Sequence, residues 1–226
     1  KFWSEFGLVL KEGPAEDFAN REKIAGLLRF ASTFDETDAQ SVSLTDYINR
    51  MKPEQEVIYF ITADSFLAAK NSPHLEIFKK KKIEVLLLGE RVDEWLMSNL
   101  PEVSGKKFQS IAKGDLDLGK LEDESEKVAK KDIEEKSKTL VEKIAKSLGD
   151  KIKEVKVTHR LTDSPACLVV GENDISGNLE RILKAAGQNT PDIKPILEIN
   201  PEHALIKKLG AEKDVKAFDE YSSVVF

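Results

Sequence analysis

Several things are scarce in this chain of 226 residues, and each scarcity closes a class of function. A single cysteine, Cys167, rules out an internal disulfide framework and cysteine-rich zinc sites, and it suits a reducing compartment. Three scattered histidines, His74, His159 and His203, make no cluster of metal ligands. No apolar run approaches the ~18 residues that a membrane-spanning helix needs. Basic residues do not dominate: the net charge is −6, against the basic face that a dedicated nucleic-acid binder presents. Phosphate loops of the form GxxxxGK[ST], the dinucleotide pattern GxGxxG, HExxH and GxSxG are all missing. The N-terminal text has no signal-peptide pattern. The first residue is not Met and the last stretch, Ser222–Phe226, is apolar, so the sequence reads as a piece of a longer protein.

What is present is 40% hydrophobic and 34% charged, the composition of folded domains rather than of a disordered chain. Trp3, Phe6, Leu8 and Leu10 mark a short helix that Gly13-Pro14 should end. Ile24, Leu27, Leu28 and Ala31 recur at helical spacing after a possible Asn20 cap. Ser43 caps a helix through Leu44, Tyr47, Ile48 and Met51. Val57–Ile61 and Ile83–Leu88 are continuous apolar runs, as expected of strands buried on both faces. Helical patterns lie between and after them, including one with Val92, Trp95, Leu96 and Leu100, and Phe108–Ala112 predicts a third strand. The order β-α-β-α-β implies a small parallel sheet sandwiched by helices.

Past Asp115 the text changes, and more than half of the residues to Lys151 are charged. Asp115–Glu126 reads as a linker. Ile133, Ser137, Leu140, Val141, Ile144 and Leu148 then line one face of a long helix that stops at Gly149. Strands are predicted around Val155, Ala166–Val170 and Ile196–Ile199, and helices through Leu179–Ala186, after Asn200-Pro201, and from Asp214. The fold class expected is therefore α/β: preceding helices, a small parallel α/β/α sandwich over 1–117, and over 118–226 an α+β domain with a mostly antiparallel sheet.

Chemistry-bearing residues are few. Asp64 follows a strand end, where open α/β sheets place function, but Asp-Ser before a helix is ordinarily a cap. Cys167 sits in an apolar strand as an inert thiol. His159-Arg160 suits a polar strand edge or an anion site. Lys79–Lys82 suits a solvated helix end, with an acidic partner as the alternative. Trp95 is either core or an aromatic anchor for another protein. Ile175, Leu179, Ile182, Leu183 and Ala186 share a helix face opposite Glu180, Arg181 and Lys184, which either packs on its own sheet or offers apolar area to a partner.

Leu8–Thr33 (LVLKEGPAEDFANREKIAGLLRFAST) and Ser72–Leu100 (SPHLEIFKKKKIEVLLLGERVDEWLMSNL) resemble the middle domain of the ninety-kilodalton heat-shock chaperone family, its bacterial branch in particular. Val157–Ala166 (VTHRLTDSPA) and Ala185–Leu209 (AAGQNTPDIKPILEINPEHALIKKL) resemble its C-terminal domain. The resemblance implies the later part of the middle domain over 1–117 and a C-terminal domain, cut before the last dimerisation helices, over 118–226. It implies a cytoplasmic, stress-induced, ATP-dependent chaperone that binds partly folded clients, works with other chaperones and dimerises when whole. This stretch would hold no cofactor and be no enzyme. ATP and Mg²⁺ would belong to an N-terminal domain outside it, and self-association here would be weak or absent, with no nucleic-acid or membrane partner. Client-binding positions carried over are Glu94, Trp95 and Ser98, the last standing where the family has Asn, and Ile175, Leu179, Ile182 and Leu183, where Ile and Leu replace family methionines. The rival expectations are a small ligand- or phosphate-binding α/β module and a passive scaffold between domains.

Overall fold

The computed structural model describes residues 2–122, 124–191 and 193–226. Helix α1 (Phe2–Glu16) runs through Gly13-Pro14 rather than ending there. Pro14 is buried, and a methyl group on Gly13 would stand 3.0 Å from Ile24, so the last turn packs closely on the next helix, which offsets the backbone bond that proline cannot make. Helix α2 (Arg21–Leu27) is shorter than its periodicity suggested, because Ala31 belongs to strand β1 (Ala31–Ser32). Helix α3 (Leu44–Arg50) begins at the expected Ser43, whose hydroxyl accepts from the Asp46 amide in a capping box. Strand β2 (Val57–Thr62) is followed by α4 (Phe66–Lys70), α5 (Glu76–Lys81), β3 (Leu86–Leu88), α6 (Arg91–Asn99) and the hairpin β4 (Glu102–Val103) and β5 (Lys106–Ser110). The hairpin turn, Ser104-Gly105, has positive φ at both residues, which suits a two-residue turn between twisted strands.

These strands form one sheet in the order β1-β3-β2-β5-β4. Its centre, β3-β2-β5, is parallel, with Phe60 opposite Leu86 and Ile58 opposite Phe108, and both edges are antiparallel. Leu28, Phe30, Leu44, Tyr47, Ile58, Leu86, Leu88 and Leu96 fill the core on one side. The Tyr47 hydroxyl accepts from the Tyr59 amide at 3.0 Å and donates to the Glu84 carbonyl at 2.7 Å, so burial of this phenol, which raises its pKa, leaves no polar atom unpaired there.

Helix α7 (Glu124–Leu148) is the long charged helix, with Ser137, Ile144 and Leu148 buried and Gly149 after it at positive φ. Of the expected linker, residue 123 lies outside the described residues, and Leu118 is buried rather than solvated. Strands β6 (Glu154–Val157) and β7 (Ala166–Val169), helix α8 (Gly177–Ala185), strand β8 (Ile196–Ile199) and helices α9 (Ala204–Ala211) and α10 (Val215–Val225) follow. The second sheet has the order β6-β8-β7, with β8 parallel to β6 and antiparallel to β7. Asn200-Pro201 forms a turn, not the helix start expected: the Asn200 side chain accepts from Glu202, and His203 is the residue that caps α9. Ile144, Ile152, Val155, Leu197, Ile199, Ile206 and Leu209 make the core beneath α7.

The protein is thus α/β, with a largely parallel first sheet and a mixed second one. Residues 2–111 and 176–189 form one unit, and 112–175 with 190–226 the other. The units change at residue 111, and α8, which lies within 118–226, groups with the first unit. The hydrogen bonds that α8 makes account for this.

Candidate functional site

Helix α6 starts directly beyond the carboxyl end of β3. Glu90 and Asp93 form its capping box, and Asp93 Oδ2 accepts from the Glu90 amide at 2.9 Å. Lys11 of α1 reaches both carboxylates, 2.7 Å from Asp93 Oδ1 and 2.6 Å from Glu90 Oε2. Lys11 and Asp93 are each only 1% exposed, and Lys11 also stands 5.6 Å from the Phe30 ring centre. Burial pushes the Asp93 carboxyl above its ordinary range, while the Lys11 charge pulls it back. The helix is therefore fixed at its first turn by a desolvated ion pair.

The next two residues diverge. Trp95 is 53% exposed, an aromatic side chain standing in water. Glu94 is 6% exposed and turned inward. Its Oε1 accepts from the Ser176 hydroxyl at 2.7 Å and from the Asn178 amide at 3.1 Å. Ser176 is also the N-cap of α8, accepting from the Leu179 amide at 2.9 Å. A single carboxylate oxygen thus gathers the first turn of α8. A second link joins Arg181 to Asp64, an ion pair between exposed side chains. Asp64 is consequently not the cap of α4, a role that Ser65 fills by accepting from Ala68.

Leu179, Ile182 and Leu183 are half-buried, and no residue of α8 is fully buried. Lys184 and Glu180 pair across one helical turn on the polar side, and Gly187 at positive φ closes the helix. Ile175 is half-buried and falls in the second unit. Ser98 is exposed, but its hydroxyl donates back to the Glu94 carbonyl at 2.8 Å, and Asn99 donates to the Trp95 carbonyl at 2.8 Å.

Of the residues singled out in sequence, the fold brings Glu94, Trp95, Ser98, Leu179, Ile182 and Leu183 into one unit. Glu94 departs most from expectation, because its carboxylate is occupied from within the molecule. Sequence reasoning missed Ser176 and Asn178 as its partners; the only trace is the Ser-Gly-Asn preceding an apolar helix, an N-cap pattern that says nothing of a third group. Arg160 also differs from expectation. It is neither a strand edge nor an open anion site: it is 1% exposed, its Nε lies 2.6 Å from Glu198 on the buried strand β8, and it donates to the Gly114 carbonyl at 2.8 Å. Cys167 is buried as expected. Lys79 and Lys80 are solvated at the end of α5.

Elsewhere in the second unit, Leu205, Leu209, Tyr221 and Val224 line an apolar groove of about 530 Å³ between α9 and α10. Among the described residues no group of three or more His, Cys, Asp or Glu side chains is disposed to hold a metal ion, and no helix is long and apolar enough to cross a membrane.

Comparison with known proteins converges on one family. The family model described as Hsp90 protein matches residues 1–225. Chaperone protein HtpG of Nitrosococcus oceani is 60% identical over 225 residues, which is 100% of this chain and 36% of that protein. Chaperone protein HtpG of Burkholderia ambifaria is 62% identical over 225 residues, covering 100% of this chain and 35% of the relative. The Dechloromonas aromatica protein of the same name is 61% identical over 226 residues, again 100% of this chain and 35% of the relative. The chain therefore spans about a third of the length of the curated relatives it matches. A match over nearly every residue, at this identity, establishes that the chain belongs to the Hsp90 protein family.

Proposed function

We propose that this chain supplies the client-holding surface of an ATP-dependent chaperone, comprising the later part of its middle domain and most of its C-terminal domain. The observation that carries the reading is Trp95: a large aromatic, 53% exposed, next to the residue that anchors an amphipathic helix. Tryptophan is among the residues that dominate protein contacts where they become buried, and contiguous exposed apolar area marks interaction surfaces. Leu179, Ile182 and Leu183 add partly open apolar area, with Glu180, Arg181 and Lys184 beside them for polar segments.

The mechanism is dispersed hydrophobic contact. Each side chain that becomes covered contributes about 1–2 kcal/mol, so useful affinity needs several at once and suits partly folded chains, which expose many. In this reading ATP and Mg²⁺ act in a domain that this chain does not include, and this stretch catalyses nothing by itself. Dimerisation and other chaperones belong to the whole protein, and the compartment is the cytoplasm.

Binding of a reduced, carboxymethylated polypeptide that cannot fold tests the proposal. Trp95→Arg, and Leu179→Ala together with Leu183→Ala, should each weaken binding about tenfold or more, with little change in melting temperature for the exposed Trp95. Unchanged affinity in both variants refutes it.

A further inference from the structure

Glu94 is the residue of this surface whose geometry does not suit direct contact with another chain. Its carboxylate is sealed, at 6% exposure, and both donors that reach it belong to α8. A buried carboxylate is stable only if hydrogen bonds replace its water, and Ser176 and Asn178 do this. Turning Glu94 outward to meet a client would undo both bonds and leave the Ser176 cap without its second partner. The other link to α8, Arg181 with Asp64, is exposed at both ends and contributes little in water. Glu94 is therefore the buried polar link to α8, beside the packing of its half-buried apolar face.

We propose that Glu94 is a positioning residue: its buried carboxylate tethers the first turn of α8 to α6, and so holds the Leu179–Leu183 face on the unit that carries Trp95. The proposal deepens the client-holding reading and rests on it for its functional half. The helix is otherwise loosely kept. It buries no residue completely, and Gly177 weakens its first turn. Elements of this kind open with little cost, so a single charge-assisted anchor can set how often the helix is in place. The tether also explains the pairing of residue types. Serine both caps and donates, asparagine donates from the first turn, and a carboxylate accepts from both, whereas a glutamate meant for a client would need neither.

Three variants in the full chain, with two readouts, test this. Glu94→Ala and the double variant Ser176→Ala with Asn178→Ala should each speed amide hydrogen exchange at 180–185 about tenfold or more. They should also weaken binding of the carboxymethylated polypeptide; adding Glu94→Ala to the Ser176/Asn178 variant should add almost nothing, as expected for an interaction already broken, while that variant, which loses the helix cap as well, should exceed Glu94→Ala alone. Glu94→Gln should retain most of the binding, because an amide oxygen still accepts from both donors. A direct client contact predicts the opposite: equal losses for Gln and Ala at position 94, and a full further loss when Glu94→Ala is added to the Ser176/Asn178 variant; that outcome overturns the proposal. Unchanged exchange in Glu94→Ala overturns the tether whatever the affinity does. Faster exchange with unchanged affinity supports the tether while refuting the client reading, so the two failures are distinct.

Discussion

Lys11→Met probes how α6, the helix that carries Glu94 and Trp95, is fixed. The substitution keeps the aliphatic stem and removes the charge that stands 2.7 Å from Asp93 and 2.6 Å from Glu90. Asp93 is then left 1% exposed, with the Glu90 amide at 2.9 Å as its remaining bond in the capping box. Breaking a buried pair from one side costs about 3–5 kcal/mol, mostly through the charge left unpaired. Both tryptophans, Trp3 and Trp95, lie in the first unit, so urea unfolding followed by their fluorescence reports on that unit. The pH dependence gives a second handle. Burial already raises the Asp93 carboxyl above its ordinary 3.8, and without Lys11 it must rise further. The native state of the variant then binds more protons than the unfolded chain between about pH 4 and the raised value, so its stability falls as pH increases through that window. The deficit against the unaltered protein should be small in acid and full at neutral pH. Adding Asp93→Asn should recover most of it, because a neutral side chain no longer needs a counter-charge. A loss below about 1 kcal/mol, or one independent of pH, would refute the assignment of Lys11 as the partner that makes this burial tolerable.

Two further outcomes follow from the packing. Arg160→Met should cost about 3–5 kcal/mol in the second unit, because Glu198 stays buried at 3% exposure with its principal partner gone; circular dichroism during chemical denaturation measures this, and Glu198→Gln in the same chain should restore part of it. Gly89→Ala should destabilise the first unit by about 1–3 kcal/mol, since the added methyl would lie 2.4 Å from the Phe66 backbone nitrogen, which no side-chain rotation can relieve; tryptophan fluorescence in urea reads it.

How far the sequence could be read depended on whether a signal was local. The buried central strands were legible because apolar β-branched runs mean burial on both faces, and Ser43 and Asp214 were legible because capping is decided within three residues. Edge strands β1 and β4 were not anticipated: two-residue strands carry no periodicity, and they exist through pairing with β3 and β5, whereas β5 was expected from Phe108 and begins two residues earlier. Pro14 and Pro201 misled in opposite ways, one tolerated inside a helix by close packing on α2, the other spent in a turn ahead of α9. At the candidate site, the exposure of Trp95 is compatible with the helical pattern around it but not dictated by it. The inward turn of Glu94 was invisible, because its partners are more than eighty residues away in the chain. Arg160 and Glu198 escaped for the same reason, since a charge reads as surface until its partner is known.

The central claim is that Trp95 and the Leu179–Leu183 face meet partly folded polypeptides. A benzophenone amino acid placed in turn at positions 95, 183 and 224 of the full chain, irradiated with the carboxymethylated polypeptide, tests it most directly. Strong cross-links from 95 and 183, weak ones from the α9–α10 groove at 224, and loss of the former when excess unfolded chain competes, but not when folded protein does, are the expected pattern. Cross-links confined to position 224, with none at 95 or 183, would contradict it.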